Sequence, residues 1–261
     1  MYKSNSRKLL LALAGDELAQ IGLPLKMVLQ LPIGGTENSR RSLVYYLANE
    51  GSVWLERHKE VLTVGLTALG QRRLIAQFPA LQQVALPSSI AWQLILLKQA
   101  PVSDPHFRSL AVLCRKHQVL RLTRGVYAYP GQLPASLAAQ LAALYTDENL
   151  ARCTVDAWVS GFDRPTIVAF YDLEHLSAIY SSISKEMDQL LATINKSKEI
   201  IYPSILNISS VINRLESAFG SDAGLVAAYF AETPRGMELV NRVGQLLVRS
   251  AQSTLLTHNP K

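Results

Sequence analysis

Residues 36–66 read TENSRRSLVYYLANEGSVWLERHKEVLTVGL, and the fold of the N-terminal third turns on how this stretch divides. Thr36 stands where a helix N-cap belongs, and Glu37 follows in a first turn where the helix dipole favours a carboxylate. The helix runs to about Asn49, with Leu43 and Leu47 one turn apart facing inward, and Gly51 closes it. Ser52–Glu56 and Val61–Leu66 then read as two strands joined by the polar tip Arg57-His58-Lys59-Glu60. Upstream, Pro32-Ile33-Gly34-Gly35 is a turn, and Leu25 to Leu31 is a short helix. Before that, Ser6 to Gly22 reads as one amphipathic helix with Leu9, Leu10, Leu13, Leu18 and Ile21 near helical spacing. Downstream, Thr67-Ala68-Leu69-Gly70 opens another helix that ends near Phe78-Pro79. Helix, helix, turn, helix, hairpin, helix is the winged helix-turn-helix order, so residues 1–84 are expected to form such a unit.

A second unit, residues 88–162, follows the Pro87-Ser88-Ser89 linker. Ala91–Leu97 reads as a buried strand and His106–Gln118 as a helix carrying Phe107, Leu110, Ala111 and Cys114 on one face. Val119–Thr123 and Gly125–Tyr129 read as two short strands, Pro134–Tyr145 as a helix and Thr154–Val159 as a last strand. Strand, helix, strand, strand, helix, strand is the ferredoxin-like pattern. From Pro165 onward the chain reads as helices over Ile167–Leu191, Ile200–Phe219 and Gly224–Leu256, the last interrupted at Pro234-Arg235-Gly236. The expected class is therefore α+β: winged helix, ferredoxin-like βαββαβ unit, then a helical region over 163–261 that forms a bundle or a dimerisation element.

Composition narrows the chemistry. Hydrophobic residues make up 49% and charged residues 18% of the 261, the balance of an ordered globular chain. The net charge is +6, and its distribution says more than its total. Residues 1–80 hold ten Lys and Arg against six Asp and Glu; the remainder holds sixteen against fourteen. The basic excess thus falls on the part expected to meet phosphates. Cys114 and Cys153 lie in no CxxC or Cys/His motif and read as two buried thiols in a reducing cytosol. The apolar run Leu9–Ala14 is too short for a signal segment and no stretch approaches the length of a membrane span. A cytoplasmic protein that engages no membrane is expected.

Motifs for catalysis are lacking. The five histidines (His58, His106, His117, His175, His258) are scattered, with no HExxH and no i, i+4 pair. There is no GxSxG elbow, and Gly34-Gly35 has neither a GxGxxG context nor a Walker lysine. Asp147-Glu148 and Asp172 with Glu174 read as helix starts rather than acid/base pairs. No catalytic residue, metal or cofactor is expected, and the protein is not read as an enzyme. Trp54, Trp92 and Trp158 read as core; Tyr127 and Tyr129 alternate on one strand face and read as core in preference to an effector pocket or subunit interface.

The three units, in this order and at these lengths, resemble the PaaX family of repressors of phenylacetate-degradation operons. Arg40-Arg41-Ser42-Leu43 followed by Leu47, Glu50-Gly51 and Trp54 is similar to that family's recognition helix and the start of its wing. Trp92–Leu97, Phe107-Arg108-Ser109-Leu110 and Leu120–Tyr127 with Pro130 are similar to its middle domain. The resemblance covers residues 5–160 and implies a DNA-binding repressor with an acyl-CoA effector, although no residue here matches an effector pocket. That middle domain is itself similar to the small ferredoxin-like nuclease of CRISPR adaptation, which carries a metal-binding aspartate at the end of its first strand. Here the strand ends Leu97-Lys98-Gln99-Ala100, and Asp104 lies beyond Pro101, so the ligand is missing.

If the third helix reads DNA, helical spacing puts Asn38, Arg41 and Tyr45 on one face, with Ser39, Arg40 and Ser42 beside it. Arg grips guanine bidentately, Asn pairs with adenine, and hydroxyls suit phosphates. Arg57, His58 and Lys59 at the hairpin tip supply cations to the backbone or minor groove. Arg72 and Arg73 either clamp phosphates or cover a helix surface. The expected function is a sequence-specific repressor that binds a pseudo-palindromic duplex as a homodimer and answers to a small effector. The alternatives are a metal-dependent nuclease built on the middle unit and an accessory factor whose N-terminal unit binds DNA or protein without regulating transcription.

Overall fold

A computed structural model describes residues 2–58, 60–82, 90–98, 105–146, 148–156, 158, 163–196 and 202–257. It is a mixed α and β protein with two antiparallel sheets, of three and four strands.

The first helical stretch divides. Helix α1 (Tyr2–Leu13) stops at Ala14, and α2 (Asp16–Ile21) starts afresh, where a single helix over Ser6–Gly22 is expected from the sequence. Gly15 lies between them because it meets the C-terminal helix α12 (Gly236–Thr257) almost backbone to backbone: a Cβ on Gly15 would stand 2.9 Å from the Gly244 Cα. The start of α2 is held from 225 residues away. The Asp16 N–H donates to Asn241 Oδ1 at 3.0 Å, and Asn241 Nδ2 donates to Asp16 Oδ2 at 2.7 Å. Nor is α1 amphipathic over its second half. Leu9, Leu10, Leu11, Ala12 and Leu13 are all buried, as a helix enclosed on every side requires.

Strand β1 (Leu23–Pro24), α3 (Leu25–Gln30) and α4 (Glu37–Asn49) follow. A hairpin of β2 (Val53–His58) and β3 (Val61–Leu66) leads into α5 (Ala68–Gln77) and a 3-10 turn at Pro79–Leu81. Strand β1, which the sequence reads as a helix stop, pairs antiparallel with β3 and gives the order β1-β3-β2. Gly65 is required beneath Trp54, whose ring would lie 2.0 Å from a Cβ at that position.

The second sheet comprises β4 (Trp92–Leu97), β5 (Leu120–Thr123), β6 (Val126–Pro130) and β7 (Leu150–Val155), in the order β5-β6-β4-β7 with every neighbour antiparallel. Helices α6 (Pro105–Lys116) and α7 (Ala135–Leu144) connect the strands and cover one face, around Ile95, Leu110, Cys114, Tyr127, Tyr129 and Leu141. The alternate residues Trp92, Leu120 and Ala128 join the larger core on the opposite face. Strand β7 lies four residues earlier than Thr154–Val159. Its register pairs Leu97 with Leu150 and Trp92 with Val155, which ends the strand before Trp158. Trp158 instead packs edgewise on Trp92 with ring centroids 6.4 Å apart. Cys114 is buried as expected, but Cys153 is exposed, because β7 is an edge strand.

The rest is helical: α8 (Arg164–Phe170), α9 (Leu173–Lys196), α10 (Tyr202–Ser221) and α11 (Val226–Tyr229) precede α12. Asp163 caps α8, accepting from the Thr166 N–H at 3.0 Å. The expected helix from Ile167 to Leu191 breaks at Asp172, whose φ of 50° lies in the left-handed region. Helices α9, α10 and α12 pack on one another and around α1, so the first and last segments share one hydrophobic core. Arg7 on α1 pairs with Glu216 on α10 at 2.5 Å. At the turn after α10, the buried Asp222 carboxylate accepts from Tyr180 Oη at 2.9 Å and from the Gly224 and Leu225 N–H groups at 2.8 and 2.9 Å. Among the described residues no helix is long and apolar enough to cross a membrane.

Candidate nucleic-acid interface

Helix α4 has two unlike faces. Leu43, Val44 and Leu47 are buried against α3 and the hairpin, which fixes the rotation of the helix. Its start is set by Thr36: the Thr36 hydroxyl accepts from the Ser39 N–H at 3.3 Å, and Ser39 Oγ donates back to the Thr36 carbonyl at 2.8 Å. Asn38, Arg41, Ser42 and Tyr45 are exposed on the outward face, in the first nine residues of the helix.

The two adjacent arginines part company. Arg40 is half-buried and turned back onto the turn that precedes the helix. Its Nε donates to the Leu29 carbonyl and its Nη1 to the Gly35 carbonyl, both at 2.7 Å. It therefore ties the end of α3 and the Gly34-Gly35 turn to the start of α4. Arg41 points outward and pairs with Glu37 at 3.1 Å across one turn. An exposed i, i+4 pair of this kind contributes only about 0.3–0.5 kcal/mol, which a phosphate or a base edge readily replaces. Of the helix residues singled out by sequence, Asn38, Arg41, Ser42 and Tyr45 come together on the free face. Ser39 and Arg40 have their polar atoms engaged within the fold.

At the hairpin, Arg57 is exposed near the end of β2, and His58 closes the strand opposite Val61. Lys59 lies outside the described residues. On α5, Arg72 is exposed, whereas Arg73 donates to Ser52 Oγ at 2.6 Å and pairs with Glu50 at 3.3 Å, joining α5 to the end of α4. Of that pair, then, Arg73 holds the structure together, and Arg72 has no ion-pair or hydrogen-bond partner among the described residues.

The outward face of α4 runs further than the sequence reading takes it. Tyr46 is 51% exposed and Asn49 is exposed, extending the Asn38–Ser42–Tyr45 stripe to the C-terminal end. Helical spacing is the signal for Asn49, which lies seven residues beyond Ser42. Tyr46 donates to Glu50 Oε1 at 2.5 Å, and this carboxylate holds the phenol above its ordinary pKa. Glu37, Glu50, Glu56 and Glu60 intersperse the cations, so the surface is amphoteric rather than a continuous basic patch.

Among the described residues no three His, Cys, Asp or Glu side chains gather where they could hold a metal ion. No protein-family model and no curated protein matches this sequence. Among solved structures, the uncharacterized protein Rv0674 from Mycobacterium tuberculosis aligns over 96% of this chain and 97% of its own, with a TM-score of 0.45 and 16% identity.

Proposed function

We propose that this protein is a sequence-specific DNA-binding regulator, acting as a repressor, and that residues 1–84 are a winged helix-turn-helix whose α4 enters the major groove. One observation carries the reading. A helix capped at Thr36, held by Arg40 and packed through Leu43, Val44 and Leu47 leaves Asn38, Arg41, Ser42 and Tyr45 together on its solvent face. These residue types supply the donors and acceptors that read base edges and phosphates, and Asn38, Arg41 and Ser42 fall in the N-terminal half of the helix, the part of a recognition helix that meets base edges. The hairpin after α4, with exposed Arg57, supports a wing lying on the backbone.

The order β5-β6-β4-β7 with two helices on one face supports reading residues 88–162 as ferredoxin-like. In this proposal the middle and C-terminal units join two copies about a two-fold axis, and the two α4 helices meet half-sites about 34 Å apart.

Fluorescence anisotropy on a selected duplex tests the assignment of roles. Arg57→Ala should weaken binding evenly across sequences and lower the salt slope by about 1, as for one lost phosphate contact. Arg41→Ala should relax preference at one base position by about 1–3 kcal/mol. Salt-sensitive binding with no sequence preference would assign an architectural role instead. Magnesium-dependent cleavage of the duplex would return the nuclease reading.

A further inference from the structure

A cavity of about 660 Å³ opens between the middle sheet unit and the C-terminal helices. Helix α6 and strands β5 and β6 wall one side; the α8–α9 junction and α10 wall the other. Its size is within the usual range for small-molecule sites, about 300–1,000 Å³, and it lies between structural units, where such sites concentrate. Val119, Leu176 and Ala218 give it an apolar lining, and Phe170 stands at its mouth. Phe170 is 46% exposed and packs edgewise on Tyr171 at 4.8 Å, which leaves ring surface free.

The polar groups are unevenly satisfied. Of the three arginines in the wall, Arg214 is engaged, paired with Glu186 and donating to Ser182 Oγ at 3.1 Å. Arg115 on α6 and Arg121 on β5 have no ion-pair or hydrogen-bond partner among the described residues. Asp172 is the single carboxylate among the lining residues. Tyr127 stands directly across the strand pair from Arg121, is 2% exposed, and has a buried hydroxyl with no hydrogen-bond partner among the described residues. A buried hydroxyl left unpaired is destabilising, so its retention at the wall of a cavity points to a ligand that accepts from it. Arg121 is the cross-strand neighbour of Tyr127, and Arg115 lines the same cavity from α6; burial and the nearby Cys114 raise the Tyr127 pKa, and the two guanidinium groups oppose that rise.

We propose that this cavity binds a small phosphate monoester carrying a flat ring, with the phosphate held by Arg115, Arg121 and the Tyr127 hydroxyl and the ring against Phe170. A phosphate monoester carries about −1.5 to −2 charge at neutral pH and three strong acceptor oxygens. That matches two unpaired cations on separate elements plus one neutral donor. A carboxylate is satisfied by a single bidentate arginine and leaves the second uncompensated. The simplest ligands of this class are mononucleotides. The site shares no residue with the outward face of α4, so the proposal is independent of the DNA-binding reading.

Isothermal titration of the intact chain with adenosine 5′-monophosphate and with phenyl phosphate tests it, with adenosine and benzoate as the uncharged and carboxylate counterparts. At least one of the two esters should saturate at one per chain, with adenosine and benzoate at least tenfold weaker. The double change Arg115→Gln, Arg121→Gln alters surface residues and should keep the circular dichroism spectrum and the melting temperature while weakening the ester at least tenfold. Tyr127→Phe should weaken it several-fold. The proposal is overturned if neither ester binds the folded chain, if benzoate binds as tightly, or if affinity survives the double change.

Discussion

Arg40→Ala and Arg41→Ala alter neighbouring residues of one helix and should have opposite consequences. Arg40 makes two 2.7 Å hydrogen bonds from a charged donor to backbone carbonyls, one at the end of α3 and one in the turn before α4. Hydrogen bonds to charged groups contribute about 1.5–3 kcal/mol when buried. The Leu29 contact is part-buried and the Gly35 contact exposed, so both together are worth about 2 kcal/mol after discounting for solvent. Arg41 makes one exposed contact to Glu37 and should cost under about 0.5 kcal/mol when removed. Urea unfolding followed by far-UV circular dichroism measures the difference. With a slope of about 3 kcal/mol per molar, Arg40→Ala should lower the midpoint by about 0.7 M, while Arg41→Ala leaves it within about 0.2 M. Arg40→Lys should recover no more than half of the loss, because an ammonium on a flexible stem cannot reproduce the two-pronged contact. Equal midpoints for Arg40→Ala and Arg41→Ala would refute the clamp and leave both arginines on the same footing.

Other perturbations test the shared core and the buried groups. Gly244→Val should destabilise the chain by about 1–3 kcal/mol in thermal unfolding, because a Cβ there stands 3.0 Å from the Gly15 Cα; an unchanged transition would show that α12 does not meet the α1–α2 junction so closely. Asp222→Ala strands the Tyr180 hydroxyl and at least two backbone N–H groups and should cost about 3–4 kcal/mol in denaturant unfolding, against about 1–2 for Tyr180→Phe; equal costs would remove Asp222 as the hub. Burial pushes the Cys114 thiol up to about 12, whereas Cys153 is exposed on the edge strand. A thiol reagent should therefore titrate one thiol in the native chain and two after denaturation, and two reactive native thiols would contradict the packing of α6.

What was legible in the sequence is what local chemistry decides. The α4 bounds follow from Thr36, the Leu43–Leu47 spacing and Gly51, each acting within a turn or two of the helix. The hairpin and the β5–β6 pair are marked in the same way by alternation and turn residues. Most of the misread elements have partners far along the chain; the break of the Ile167–Leu191 helix at Asp172 is the local exception. Leu9–Ala14 looks like the apolar stripe of a surface helix, and nothing nearby reveals that α10 and α12 close over its other sides. Gly15 reads as an ordinary helix residue until Gly244 is placed against it. The β7 register is set by pairing with β4, which no local pattern reveals, so Thr154–Val159 reads as a strand that in fact lies four residues earlier. Arg40 and Arg41 are chemically identical in sequence; the Leu29 and Gly35 carbonyls separate them. The cavity beside Tyr127 joins residues from six elements, and no spacing rule brings Arg115, Arg121 and Phe170 together.

If the outward face of α4 reads DNA sequence, selection from a genomic fragment library at physiological salt will show it. The intact chain should be compared with the double change Asn38→Ala, Arg41→Ala, which alters two exposed residues and spares the Arg40 clamp. On this reading the intact chain should enrich a pseudo-palindromic site, and the folded double variant should lose that enrichment by tenfold or more. Absence of enrichment by the folded intact chain, or recovery of the same site by the variant, would contradict it.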